Sequence, residues 1–318
     1  MELISDARAA DVLRGFGLPQ PLRVTRISGG FSDAIVWRVD APPATFALKA
    51  YPRSRIGPGG LTTFHNLLLR GREMGITALP RVFTIYEGQT WTPYHDDAYL
   101  DIVSWHPGAP LLATDPTPSR LHAAGSILAR LHQAWAPSQE LPEPPISLHR
   151  RWHSLQSWPA LRNTAPTSDQ MAEIKRALER VVGTAEKSLM PWLGRVFSVQ
   201  PILGDVWYAH ILFVGDEVTG LIDHASVRVD HPVVDLARLL SSLELTPIQR
   251  STLLESYQQV RKLSLEELEL LLVLESTGIL GALIHWYDTL TTGTPETPAI
   301  RDRIQFLLRR AESLNPNG

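Results

Sequence analysis

The chain has 318 residues, enough for two packed domains of ordinary size, and an apolar fraction of 44% that can fill real cores without covalent staples. With 30 basic against 33 acidic residues the net charge is −3, so no long-range positive field exists to recruit a nucleic-acid backbone or an anionic membrane. The absence of cysteine removes disulfides, thiolate metal sites and cysteine nucleophiles, and suits a reducing compartment, for which the cytoplasm is expected.

Residues Met1 to Asp6 lack a basic start followed by an apolar stretch, so no export signal is expected there. Strands are expected over Leu22–Ile27, Ile35–Val39 and Thr45–Tyr51, the first two flanking the glycine-bearing loop Ser28–Asp33 and the third following a turn at Ala41–Pro43. Leu61, Phe64, Leu67, Leu68 and Gly71 have helical spacing and predict one helix that covers the apolar face of the sheet. Val82–Tyr86, Thr90–Pro93 and Ala98–Val103 read as further short strands. From Ser119 onward the pattern is mainly helical: Leu121, Ala124, Ile127, Leu128 and Leu131 share one face, and Met171, Ile174, Leu178, Val182 and Ala185 another. Pro137–Pro145 reads as a surface loop, and Ser264 with Glu267 as a capping box opening a helix. The apolar stretch Leu268–Leu283 is broken by Glu269 and Glu275 and reads as too short for a bilayer, which needs about 20 apolar residues. The expected organisation is a β-rich lobe over residues 1–103 and a mainly helical lobe over 104–318, with one inserted hairpin, Ile211–Val214 and Val218–Ile222.

The chemistry concentrates around that hairpin. Gly204-Asp205 precedes it, His210 stands at its start, and Asp223-His224 follows its returning strand. Phosphoryl transfer needs one carboxylate to orient and deprotonate a hydroxyl and another to hold a divalent cation against the phosphates. Asp205 and Asp223 can fill those roles. The same histidine and aspartate density also admits a metal-dependent hydrolase.

Gly204-Asp205, Asp223 after Ile222, and the run Asp230-His231-Pro232-Val233-Val234-Asp235-Leu236-Ala237 resemble the catalytic core of the aminoglycoside phosphotransferase/choline kinase superfamily. The helix ending Leu128-Ala129-Arg130-Leu131-His132 is similar to that superfamily's Leu-Ala-x-Leu-His signature. The resemblance, running with gaps from about residue 24 to about 290, implies an α+β, protein-kinase-like two-lobed fold: an antiparallel sheet with one main helix, then a mainly helical lobe. It implies an ATP-dependent transfer of the γ-phosphoryl group to the hydroxyl of a small molecule, with no nucleic acid or membrane as partner. Asp205 would be the catalytic base. Ser28, Gly29, Gly30, Phe31 and Ser32 would cover the phosphates, Lys49 would bind them, and the segment containing Asp101 and Val103 would receive adenine. Asp223 and His210 would hold the metal, and Asp235 would cap a helix and brace the catalytic loop.

Three departures from the superfamily pattern stand out. His210 replaces the metal-binding asparagine, which turns the expectation from Mg²⁺ alone toward Mg²⁺ with Mn²⁺ admitted. Leu203 stands where histidine usually braces the Gly-Asp pair, and no acidic residue lies between Lys49 and Glu73 to pair with the lysine, a charge that His65 does not supply. These departures define the alternative reading of a catalytically inactive pseudokinase that binds nucleotide or serves as an interaction module. Trp207 and Tyr208 offer aromatic faces that could attract a cationic acceptor.

Overall fold

The protein is described here by a computed structural model covering residues 6–27, 34–85, 88–94 and 97–314. Along the chain run α1 (Asp6–Gly15), β1 (Arg23–Ile27), β2 (Ile35–Ala41), β3 (Ala44–Pro52), α2 (Pro58–Glu73), β4 (Trp91–Tyr94) and β5 (Ala98–Ser104). There follow α3 (Pro118–Trp135), β6 (Pro142–Glu143), α4 (Ile146–Leu161), α5 (Asp169–Leu189), β7 (Phe197–Ser198) and β8 (Gln200–Ile202). The hairpin strands β9 (Ile211–Val214) and β10 (Glu217–Leu221) precede β11 (Arg228–Asp230), α6 (Val233–Ser241), α7 (Pro247–Val260), α8 (Leu265–Thr291) and α9 (Pro298–Glu312). This is the α+β order expected: an antiparallel sheet first, then mainly helices.

The chain folds as two compact units, Met1–Leu111 with Ala209–Ser226, and Leu112–Tyr208 with Val227–Gly318. The expected division after residue 103 therefore shifts, and the hairpin belongs with the first unit rather than with the helices that flank it in sequence. The reason is local. Phe213 and Ala109 exchange backbone hydrogen bonds at 2.9 and 3.0 Å, and Leu221 N donates to Ala78 O at 2.8 Å.

In the first unit five strands pair antiparallel in the order β1-β2-β3-β5-β4. Alternation along β3 divides its side chains between two faces. Phe46, Leu48 and Ala50 join Leu100 and Ile102 of β5 in an apolar cluster with Ala9, Val12 and Leu13 of α1 and with Phe16 in the turn after it. The helix covering the apolar face is thus α1, whose i, i+3, i+4, i+7 pattern the sequence reading passed over. Lys49 and Tyr51 point to the opposite face, with Asp101, and there α2 packs: Phe64 sits 6.4 Å from the Tyr51 ring and His65 bonds Asp101. Of the strand expected over Val82–Tyr86, the described residues 82–85 form an isolated bridge, Val82 with Val103, supported by Phe83 N donating to Ile102 O, and Tyr86 lies outside the described residues.

In the second unit α8 is central, packing against α4, α5, α6 and α9, while α3 packs on α7. The expected stretch Leu268–Leu283 lies within the 27-residue α8, which is long and apolar enough to cross a membrane by length and composition alone, a test that a core helix also passes. Half of its most apolar window is nonetheless buried against the neighbouring helices, as a core helix requires. Its start is the capping box expected, with Ser264 Oγ accepting from Glu267 N and Glu267 Oε2 accepting from Ser264 N. The segment 137–145 is loop apart from β6, which pairs with β7.

Candidate active site

In the first unit, Ser28, Gly29, Gly30, Phe31 and Ser32 lie outside the described residues. Lys49, half-buried on β3, stands directly opposite Asp101 on β5. Directly paired residues project to the same face of a sheet, so the two side chains share it. Asp101 is fully buried: Oδ2 accepts from His65 Nε2 at 2.8 Å and from Tyr51 Oη at 3.3 Å, whereas Oδ1 has no hydrogen-bond partner. His65 is fixed in turn by Thr90 Oγ1 at 2.6 Å. Burial, then the negative charges of Asp101 and Asp223, push the Tyr51 hydroxyl well above its ordinary pKa.

This placement corrects the adenine assignment. Asp101 is flanked by Lys49 on one side and Trp91 on the other, and Val103 by Ala47 and Val82. Both residues sit inside the sheet with strand neighbours on either edge, and neither presents a free backbone edge to a base.

At the hairpin, His210 and Asp223 come together, with His210 Nε2 3.6 Å from Asp223 Oδ2. Ile222 N donates to His210 O at 3.0 Å, which ties the two ends of the hairpin. Among the described residues Asp223 is the only non-glycine residue in the left-handed region, with φ of 62°. Aspartate tolerates that conformation better than most, and such a residue held away from the usual wells is a mark of functional sites. Its carboxylate is 39% exposed. The next residue, His224, turns inward and stacks on Phe64 at 6.1 Å, with both ring nitrogens unpartnered. Burial, then the nearby Lys49 charge, hold it well below the ordinary histidine pKa, so it is a neutral packing group. No group of three or more histidine, aspartate or glutamate side chains is gathered for a metal among the described residues. Asp223 and His210 are an oxygen and a nitrogen donor of the kind that could hold a divalent cation.

In the second unit, Asp205 sits on the loop after β8, and a buried aspartate sets that loop. Asp235 accepts from Leu203 N at 2.7 Å through Oδ2 and from Gly204 N at 2.8 Å through Oδ1. His132 Nε2 lies 3.3 Å from Oδ2, and its Nδ1 is 2.7 Å from Tyr257 Oη. Burial lowers the His132 pKa, so a neutral ring donates to Asp235 and accepts from Tyr257. Gly204 adopts φ of 77°, a backbone form that favours glycine, and Arg228 Nη1 holds its carbonyl at 3.0 Å. The brace that Leu203 cannot supply thus comes from Asp235. Asp235 does not cap α6, however: the N-cap is Pro232 and Asp235 lies within the first turn.

The Asp205 carboxylate bonds Arg238 of α6. Arg238 also lines a small cavity with Arg151 of α4, Trp207, Gly278 of α8 and Arg303 of α9. Arg303 lies over the Trp207 ring at 5.2 Å, so that aromatic face is taken by the protein's own cation and the expected attraction of a cationic acceptor to it is not supported.

A profile of the phosphotransferase enzyme family matches residues 23–293. The chain belongs to this family. Among its relatives, this phosphotransferase is 26% identical to a homoserine kinase of Sinorhizobium medicae (strain WSM419) over 230 residues, 68% of each chain. It is also 26% identical to a homoserine kinase of Acidiphilium cryptum (strain JF-5) over 321 residues, 97% of this chain and 94% of that one. A spectinomycin phosphotransferase solved with ADP and spectinomycin shares the fold with a TM-score of 0.75 at 13% identity, over 98% of this chain and 99% of that one. The protein is a small-molecule kinase, and the hydrolase reading falls away. Sequence reasoning named Lys49, Asp205, His210 and Asp223 but passed over Arg151 and Arg303 of this phosphotransferase. Those arginines stand on separate helices with no local spacing to reveal them.

Proposed function

We propose that this phosphotransferase moves the γ-phosphoryl group of ATP to a hydroxyl of a small molecule, with Asp205 as the base. The observation that carries the reading is the braced Asp205 loop. Two backbone N–H groups fixed by one buried carboxylate hold the aspartate's position before any substrate arrives, and catalysis of this kind is mostly positioning and electrostatics. Asp205 orients the acceptor hydroxyl and takes its proton as the new P–O bond forms and the bond to the β-phosphate oxygen breaks, releasing ADP.

Asp223, with His210 beside it, would hold a divalent cation, which when bound would supply positive charge against the phosphates. Carboxylate oxygen favours Mg²⁺, and the imidazole admits Mn²⁺. Lys49 contacts the phosphates, and Asp101 is the anion that compensates it from the neighbouring strand. Nucleotide binding belongs to the first unit and acceptor binding to the second, and the cytoplasm, which supplies ATP, is the working compartment. An ADP-release assay over a panel of small alcohols tests this. Turnover that disappears in Asp205→Asn while ATP still binds supports it. Binding of nucleotide without turnover of any acceptor would instead favour the inactive, nucleotide-binding reading.

A further inference from the structure

The cavity beside Asp205 concentrates positive charge in a way the transfer chemistry does not require. Arg151, Arg238 and Arg303 converge on it from α4, α6 and α9, and among the described residues no acidic side chain lines it. Arg238 pairs with the carboxylate of Asp205. Among the described residues Arg151 and Arg303 form no ion pair: Arg151 donates from Nη2 to Leu274 O at 3.0 Å, and Arg303 stacks on Trp207 and Phe306. Room for the Arg151 guanidinium exists because position 278 is glycine. A Cβ there would lie 3.1 Å from Nη2.

Burial first, then repulsion from Arg238, lowers the Arg151 pKa to about 10 and also lowers that of Arg303. Both stay charged at neutral pH. Asp230 attracts Arg151 and Asp205 attracts Arg303, but burial and the repulsion from Arg238 outweigh both, so the like charges are compensated only in part. An anion entering the cavity would relieve that repulsion. The cavity volume is about 30 Å³. At roughly 10–15 Å³ per water-sized atom that is space for two oxygens, the size of a carboxylate head.

We propose that this cavity is the anion-binding half of the acceptor site, and that the acceptor is a small hydroxy acid whose carboxylate is held by Arg151, Arg238 and Arg303. Guanidinium forks match carboxylates bidentately, and Arg238 links the two halves because it bonds Asp205 and lines the cavity. A polycationic acceptor is disfavoured by the same field. The inference rests on the phosphotransferase reading with Asp205 as base.

The test is ADP release by the full chain with acceptors matched in length: 4-hydroxybutyrate and homoserine with a carboxylate, their alcohol counterparts without it, and spectinomycin as a cation. The carboxylate acceptors should exceed their alcohol counterparts in kcat/KM by about 10–100-fold, the worth of one charge-assisted contact. Arg303→Gln should collapse that ratio, and Arg303→Lys should keep part of it, which a merely structural role would not do. Equal use of the two sets, or preference for the cation, overturns the proposal. So does the absence of turnover with the carboxylate acceptors while ATP and metal still stabilise the protein through Asp223, an outcome that leaves nucleotide binding standing. Loss of that stabilisation as well would overturn the phosphotransferase mechanism itself.

Discussion

Lys49 and Asp101 face each other across β3 and β5, so the buried carboxylate that shares the lysine's side of the sheet comes from a strand, not from the helix. The residues between Lys49 and Glu73 contain no acid, and α2 contributes His65 instead, which bonds Asp101. The helix therefore anchors the anion rather than providing it. Asp101→Asn should raise the KM for ATP about tenfold, on the order of 1.4 kcal/mol, with a smaller change in kcat. His65→Asn should give the same effect in weaker form. Steady-state kinetics at saturating acceptor separates the two parameters, and an unchanged KM in Asp101→Asn would remove Asp101 from the nucleotide site.

Asp235 accepts the N–H groups of Leu203 and Gly204 with one oxygen each. In Asp235→Asn one of those N–H groups meets an amide NH₂, donor against donor, at a fully buried position. The expected cost is about 2–3 kcal/mol of stability. The kcat should fall further than stability alone accounts for, because the base is no longer held. Denaturant unfolding and single-turnover kinetics on one preparation check both.

Gly125 sets the approach of α3 to α7. An added Cβ would lie 2.1 Å from Ser256 Oγ and 2.4 Å from the Leu253 carbonyl oxygen, and a backbone atom cannot swing aside. Gly125→Ala should destabilise the protein by about 1–3 kcal/mol although alanine is the better helix former by about 1 kcal/mol. Urea unfolding reads this directly.

Glu267 gives a pH signature. Burial opposes its ionisation, but hydrogen bonds with His231, Ser264 N and Arg261 outweigh that and lower its pKa from 4.5 to about 2. A folded-state pKa below the unfolded one stabilises above the unfolded value and loses that contribution as pH falls through the folded one. The difference in Tm between wild type and Glu267→Gln should thus be full near pH 6 and shrink steadily as pH drops below about 4.5. A difference independent of pH would mean that the helix cap, not the charge, carries the effect.

Local signals were legible where chemistry or periodicity is written into adjacent residues. The strands of the first sheet, the capping box at Ser264 and the run around Asp205 and Asp223 are of this kind. What depends on long-range packing was not. α1 carries a helical pattern at Ala9, Val12 and Leu13 that continues to Phe16 just beyond it, yet only the register of β3 and β5 shows which face of the sheet it covers. Asp101 could not be read as a partner of Lys49 because strand order, not sequence distance, brings them together. The arginine cluster is farther still from any local signal, since Arg151, Arg238 and Arg303 meet only after three helices pack.

The most direct measurement is the thermal stability of the wild type and of Asp223→Ala with ATP and Mg²⁺, then with ATP and Mn²⁺, since a ligand that binds only the folded state raises Tm. A metal-dependent rise in the wild type, about 2.7 kcal/mol at a ligand concentration 100 times Kd, that disappears in Asp223→Ala is the predicted result. No rise with either metal, or an equal rise in the variant, would contradict the assignment of Asp223 to the metal–nucleotide site and with it the mechanism built on Asp205.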